Sequence, residues 1–299
     1  MIPGTADPAS PTAPDWVIGV LGEPLSGAAR LPWGFTNETW SATTLAGDRY
    51  AVTRMASPAT ASFIVSAGPE IARRAGAVGL AMPVPIPSRS DPSRGIVVSR
   101  WLEGEPAMLL LRGGPEAAAV GQAMGRVWRQ LGEVGVRGLR LDDTWARPMA
   151  LATAAAGWLA RVESSLDPSW AAAIRRLIDM AAVMPIPSRA SFMHGDLVPA
   201  NLLIGNGGNV LLDLEAARIG DPLADAAWFR WIVGYHHPDL EPAAWSAFTA
   251  EAKLTPEDPR SAALLKAYPV LRILEILAGP ALSAADRDRW IAQLRGALR

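Results

Sequence analysis

Three oxygen-bearing side chains lie within a short stretch of this chain: Asp196 and Asn201 in His194-Gly195-Asp196-Leu197-Val198-Pro199-Ala200-Asn201, and Asp213 at the end of the apolar run Val210-Leu211-Leu212. Their types match what phosphoryl transfer requires. Mg²⁺ takes a few hard oxygen ligands from a protein beside phosphate oxygens. A carboxylate must orient the acceptor hydroxyl and take its proton, and the rest is positioning and charge neutralisation. A hairpin with Asp196 and Asn201 at one end and Asp213 at the other would gather three such oxygens. Residues 202–204 and 210–212 would be its buried walls. A solvated β-turn with N-capping acids would use the same residues without any chemistry.

His194-Gly195-Asp196, with Asn201 five positions after Asp196, resembles the catalytic loop of aminoglycoside phosphotransferases and their choline-kinase-like relatives. Protein kinases use a related loop with Arg in place of the Gly. On ordinary residue usage such a match arises by chance in about one chain in a thousand of this length. The continuation from Asp213 through Gly220-Asp221-Pro222 to Asp225 also resembles that family, which follows its metal-binding Asp with Gly-Asp-Pro and a second Asp. The resemblance implies Asp196 as catalytic base and Asn201 and Asp213 as Mg²⁺ ligands, with ATP or GTP as donor. His194, Asp221 and Asp225 are then structural, holding the loop and the start of the following helix.

The N-terminal part carries the same resemblance. Trp33-Gly34-Phe35-Thr36-Asn37-Glu38 is similar to the family's phosphate-covering turn, with Gly34 and Asn37 in the recurring positions, although a plain hairpin turn reads the same way. Arg54 stands where kinases place a strand lysine, and its fixed guanidinium is able to contact phosphate. An exposed strand residue is the other reading of Arg54. Between Asp48 and Asp91 the one carboxylate is Glu70, the natural partner of Arg54. In a first helical turn the same acid also favours the helix dipole. The segment Val98-Ser99-Arg100-Trp101-Leu102-Glu103-Gly104 falls where the family's hinge would meet the base of the nucleotide, which places Ser99 and Trp101 beside it.

Aminoglycoside-modifying members are expected to line their acceptor site with acids, since their substrates are polycations. The candidates here, Asp239, Glu241, Glu251, Glu257, Asp258 and Glu275, are scattered, as acids on solvated helix faces are. The cluster Trp228, Trp231, Tyr235 and His236 would suit a bulky, ring-bearing acceptor, while Trp228 and Trp231 at i and i+3 equally describe a core stripe. His236 and His237 have no spaced acid or further His to make a metal site. The next helix begins about ten residues after Asp213, too soon for a protein-kinase activation segment, so a protein substrate is disfavoured.

The elements that must position these groups divide in two. Residues 38–45 and 49–55 read as strands joined by a Gly-containing turn, and residues 95–101 as a further strand. A helix is expected over residues 69–78, ended by Gly79. After Gly104, residues 115–134, 146–162, 168–183, 222–233 and 259–277 have helical length and spacing, several with Pro in the first turn. The expected architecture is α+β, a bilobal protein-kinase-like fold. A small antiparallel β N-lobe with one helix occupies residues 15–101, a larger mainly helical lobe residues 102–299, and a disordered tail residues 1–14.

Composition narrows the function classes. The chain has 299 residues, half of them hydrophobic, and a formal net charge of −1, which argues against a nucleic-acid footprint. It has no cysteine, so disulfides, thiolate zinc sites and cysteine nucleophiles are excluded. Neither a signal peptide nor an uninterrupted bilayer-length apolar run is present, and nothing marks an obligate protein partner. The expectation is a cytoplasmic O-phosphotransferase acting on a hydroxylated small molecule, an antibiotic first. A metabolic kinase of a choline, amino-acid, sugar or nucleoside is the second reading, and a nucleotide-binding pseudokinase scaffold the third.

Overall fold

A computed structural model describes residues 13–32, 37–114, 116–184, 190–205, 207–279 and 282–298. The turn residue Gly34, most of the N-terminal tail and residues 185–189 lie outside the described residues. Two compact units emerge. The first comprises residues 1–77, 81–103 and 212–215; the second comprises residues 78–80, 104–211 and 216–299.

The first unit opens with helix α1 (Asp15–Leu21) and strand β1 (Leu25–Arg30), followed by β2 (Glu38–Thr44), β3 (Arg49–Arg54), helix α2 (Pro58–Ala77) and β4 (Ile96–Arg100). The strands form one antiparallel sheet in sequence order. Period-two alternation sends Trp40, Ala42, Tyr50, Val52, Ile96 and Val98 to one face, where Trp16, Val17 and Leu21 of α1 cover them. Val97 points the other way and packs with Met55 and with Ala61 and Ile64 of α2. Burying each such large side chain contributes about 1.5–3 kcal/mol.

Two expectations change here. Residues 15–21 form a second helix where one was expected in the span 15–101. Helix α2 also begins eleven residues before the expected start at 69, so Pro69 sits inside it. Ser57 caps the true start, accepting from the Thr60 amide at 3.3 Å with Pro58 next to it. Proline costs one helical hydrogen bond at Pro69, and the residues around it hold the helix through packing: Ile64 and Ile71 are buried on either side.

The second unit contains β5 (Glu105–Pro106), α3 (Ala107–Gly113), α4 (Ala117–Glu133), α5 (Pro148–Val162), α6 (Pro168–Val183), β6 (Ser191–Met193), β7 (Leu202–Gly205), β8 (Gly208–Leu211), β9 (Arg218–Gly220) and helices α7 (Leu223–His236), α8 (Glu241–Ala252), α9 (Pro259–Leu277) and α10 (Ala284–Ala297). Helices α6 and α9 match their sequence-derived limits because Asp167 and Asp258 cap them ahead of a first-turn proline. Helices α3, α8 and α10 were not expected. Helix α4 lies almost in backbone contact with α8: a Cβ on Gly121 would fall 2.0 Å from the Ala244 carbonyl, and one on Gly125 2.6 Å from that of Phe248. Among the described residues no helix is long and apolar enough to cross a membrane.

Candidate active site

Strand β6 delivers the chain into His194-Gly195-Asp196, and the backbone there is held by one buried carboxylate. The two oxygens of Asp225, in the first turn of α7, accept from the amides of His194 (2.7 Å) and Gly195 (2.8 Å). Burial pushes the Asp225 carboxyl up, while the charge of His194 and these two amides pull against it. The His194 side chain is fully buried. Gly195 adopts φ +78°, and a Cβ there would lie 2.1 Å from the Ala216 carbonyl oxygen, so a side chain such as the kinase Arg has no room at this position.

The loop thus fixed presents Asp196, and both of its carboxylate oxygens are engaged. The Trp228 indole donates to Oδ1 at 2.8 Å, and the Asn201 amide donates to Oδ2 at 2.9 Å and to the Asp196 carbonyl at 2.9 Å. Asn201 closes a single turn of 3₁₀ helix, residues Pro199–Asn201, and immediately precedes the β7–β8 pair, whose register joins Leu202 to Leu211. Because its amide nitrogen faces Asp196, the Asn201 amide oxygen is the atom left for a cation.

Asp213 belongs to the first unit and takes the left-handed conformation, φ 61°, which non-glycine residues adopt at a cost. Its Oδ1 accepts from the Glu215 amide at 3.3 Å. Glu215, which sequence reasoning missed, accepts from the Asn37 amide nitrogen at 3.0 Å, while the Asn37 oxygen accepts from the Ala56 backbone at 3.1 Å. One side chain therefore ties the start of β2, the end of β3 and the segment after Asp213 together.

Asn201 and Asp213 each carry a hard oxygen donor of the kind Mg²⁺ takes. Among the described residues no three His, Asp or Glu side chains form a metal cluster.

The expected Arg54–Glu70 ion pair is not formed. Glu70 accepts two bonds from Arg73 (2.7 and 2.8 Å) and one from Arg74 (2.7 Å), and these guanidinium groups lower its carboxyl to about 2. The reason is local: Glu70 lies inside α2, so its neighbours at i+3 and i+4 satisfy it. That spacing is visible in the sequence. Arg54 instead lies over the Trp16 ring, 4.1 Å from its centroid. Ser99 is buried in β4, opposite Ala51. The Trp101 amide donates to the Arg49 carbonyl, and the Arg49 guanidinium sits 4.2 Å over the Trp101 ring while pairing with Glu103.

The aromatic cluster divides. Trp228 is 3% exposed, so it is no open platform for an acceptor; its indole serves Asp196 instead. Trp228 stacks on Trp231 (5.3 Å between centroids) and on Trp290 of α10 (6.2 Å), and Trp231 stacks on Tyr235 (5.2 Å), which is 41% exposed. His236 meets the Tyr235 ring edge-on, and burial together with the charges of His237, Arg112 and Arg289 lowers its pKa. Asp221 is buried at the start of α7, accepting from the Leu223 amide, Arg260 and the Tyr268 hydroxyl. Several acids weighed as an acceptor wall have other partners: Glu241 pairs with Arg230, Glu251 with Arg126 and Arg129, Glu275 with Arg218 and Arg272, and Asp258 caps α9.

Residues 27–265 match the model of the phosphotransferase enzyme family. Among solved structures, a macrolide 2'-phosphotransferase from Brachybacterium faecium is similar at 20% identity and TM-score 0.64, covering 93% of this chain and 96% of that one. An aminoglycoside phosphotransferase APH(4)-Ia, in a ternary complex with ADP and hygromycin B, aligns at 16% identity and TM-score 0.70 over 95% of this chain and 97% of its own. A choline/ethanolamine kinase family protein from Mesorhizobium loti aligns at 18% identity and TM-score 0.62, over 91% and 87%. No curated protein sequence matches. These likenesses establish the fold: an antiparallel β unit and a mainly helical unit of the protein-kinase-like type.

Proposed function

This chain belongs to the phosphotransferase enzyme family, and from that premise we propose that it moves the γ-phosphoryl group of ATP or GTP to a hydroxyl of a small molecule. The observation that carries the reading is Asp196, a carboxylate with each oxygen held by a donor, on a loop braced by Asp225. Asp196 orients the acceptor hydroxyl and receives its proton as the acceptor oxygen bonds to the γ-phosphorus and the bond to the leaving nucleoside diphosphate breaks. Asn201 and Asp213 would hold Mg²⁺, which when bound supplies neutralisation of the phosphate charge. Arg54, 4.1 Å over the Trp16 ring, offers its guanidinium to phosphate, and Asn37 belongs with the phosphate-contacting residues. The backbone around Ser99 and Trp101 meets the base.

An antibiotic is the acceptor class favoured here, because the aminoglycoside and macrolide phosphotransferases are structural neighbours and the outer end of the α7 stack is an exposed aromatic ring. The choline/ethanolamine kinase neighbour supports a metabolic acceptor as the second reading. The enzyme is expected to act in the cytoplasm, without nucleic acid or an obligate protein partner. The test is a mass-spectrometric screen of hydroxylated antibiotics and metabolites with Mg²⁺-ATP and Mg²⁺-GTP. A product heavier by one phosphoryl group, lost with Asp196→Asn, is the expected result. Nucleotide binding with no transfer to any acceptor would favour the scaffold reading instead.

A further inference from the structure

Trp228 makes a contact that packing alone does not require. Its ring is buried and lies nearly parallel to two others, at 19° to Trp231 and 21° to Trp290. Two aromatic rings, one from α7 and one from α10, therefore fix the plane of the Trp228 indole. That plane aims its single N–H at Oδ1 of Asp196, 2.8 Å away. An indole N–H donates and never accepts, so it cannot compete with Asp196 for a proton. Engaged by this one donor, Oδ1 keeps accepting capacity for an acceptor hydroxyl. Turning Asp196 out of this position would strand a buried donor, which is costly. The Asn201 amide holds the other oxygen. Between them the two donors remove both torsions of the Asp196 side chain from play.

We infer that Trp228 is a positioning residue, holding the Asp196 carboxylate at the angle phosphoryl transfer needs, and that Trp231 and Trp290 hold Trp228 in turn. This rests on the reading of Asp196 as the base. Its consequence is that the C-terminal helix α10, far along the chain from the loop motif, helps to set the rate of the reaction through one stacked ring.

Trp228→Phe keeps a ring for the stack and deletes the N–H. Turnover of Mg²⁺-ATP with water as acceptor, followed by phosphate release, reads the effect without a known acceptor. Loss of one hydrogen bond to a charged group predicts a kcat about ten- to a hundred-fold lower, with KM for ATP within about two-fold of the parent. Trp245→Phe, the same chemical change in the core ring of α8, reports how much of any loss is packing. Indole ¹H–¹⁵N spectra supply a second readout that needs no turnover. The resonance missing from Trp228→Phe should move, and exchange faster with solvent, in Asp196→Ala. If that resonance is unmoved by Asp196→Ala, or if Trp228→Phe turns over like the parent, the inference is overturned. Full turnover in Asp196→Asn would instead remove the base reading on which it stands, whereas loss there with normal Trp228→Phe kinetics overturns this inference alone.

Discussion

Replacing Asp225 by Asn keeps the shape of the side chain and removes half of its accepting capacity. In the folded protein its two oxygens take the amides of His194 and Gly195 at 2.7 and 2.8 Å, in a setting where the side chain is 2% exposed and water offers no substitute. An Asn oxygen can serve one amide, but its NH₂ group then faces the other. Leaving one buried donor unpaired costs about 1–3 kcal/mol. The bond that survives loses its charge assistance, a further ~1 kcal/mol. Relief from burying a charge offsets part of this, since burial is what pushes the Asp225 carboxyl up. The net expectation is a loss of about 1–3 kcal/mol, on the order of 2–5 °C in Tm for a chain of 299 residues. Thermal unfolding by circular dichroism measures it, and amide hydrogen exchange locates it: the His194 and Gly195 amides should lose protection ahead of those of α7. Turnover should fall as well, because Asp196 rides on the same loop. A variant that melts within about 1 °C of the parent, with both amides still protected, would refute the claim that Asp225 holds the loop.

Gly195→Ala should cost at least as much, since it adds a left-handed residue (about 1–2 kcal/mol) to a Cβ placed 2.1 Å from the Ala216 carbonyl; urea unfolding checks it. For Glu275, burial alone would raise the carboxyl, but Arg272 and Arg218 overcome it and hold it below the usual 4.5. A depressed folded pKa contributes stability that is complete above pH 4.5 and lost as pH falls through the lower folded value. Below about pH 4.5 the parent should therefore lose Tm more steeply than Glu275→Gln. The His236 imidazole, lowered by burial and by the His237, Arg112 and Arg289 charges, should titrate below 6.5 by NMR, with Arg289→Gln moving its midpoint upward.

The loop motif is legible in the chain because its parts are local. Asp196 and Asn201 are five residues apart, and the amide of one reaches the carboxylate of the other without help from elsewhere. Helix limits are legible where a cap and a proline mark them, as at Asp167-Pro168 and Asp258-Pro259. Strands β2, β3 and β4 are legible from their β-forming residues and the Gly-containing turn between the first two, whereas β1 is not. Helix α2 misled because Pro69 imitates a helix start, and the partner of Glu70 was sought far away when two arginines stood one turn along. Other features have no local signature at all. Nothing near Gly121 and Gly125 says that α8 will lie against them, nor near Asn37 that it will reach Glu215. The choice of Trp228 as the donor to Asp196 is of the same kind. An indole 32 residues distant in sequence looks like one more apolar residue on a helix until folding supplies the direction of its N–H. Residue types and short spacings fix which atoms a loop can offer; which distant atoms they meet depends on how helices and sheets pack, and that is decided by burial summed over the whole chain.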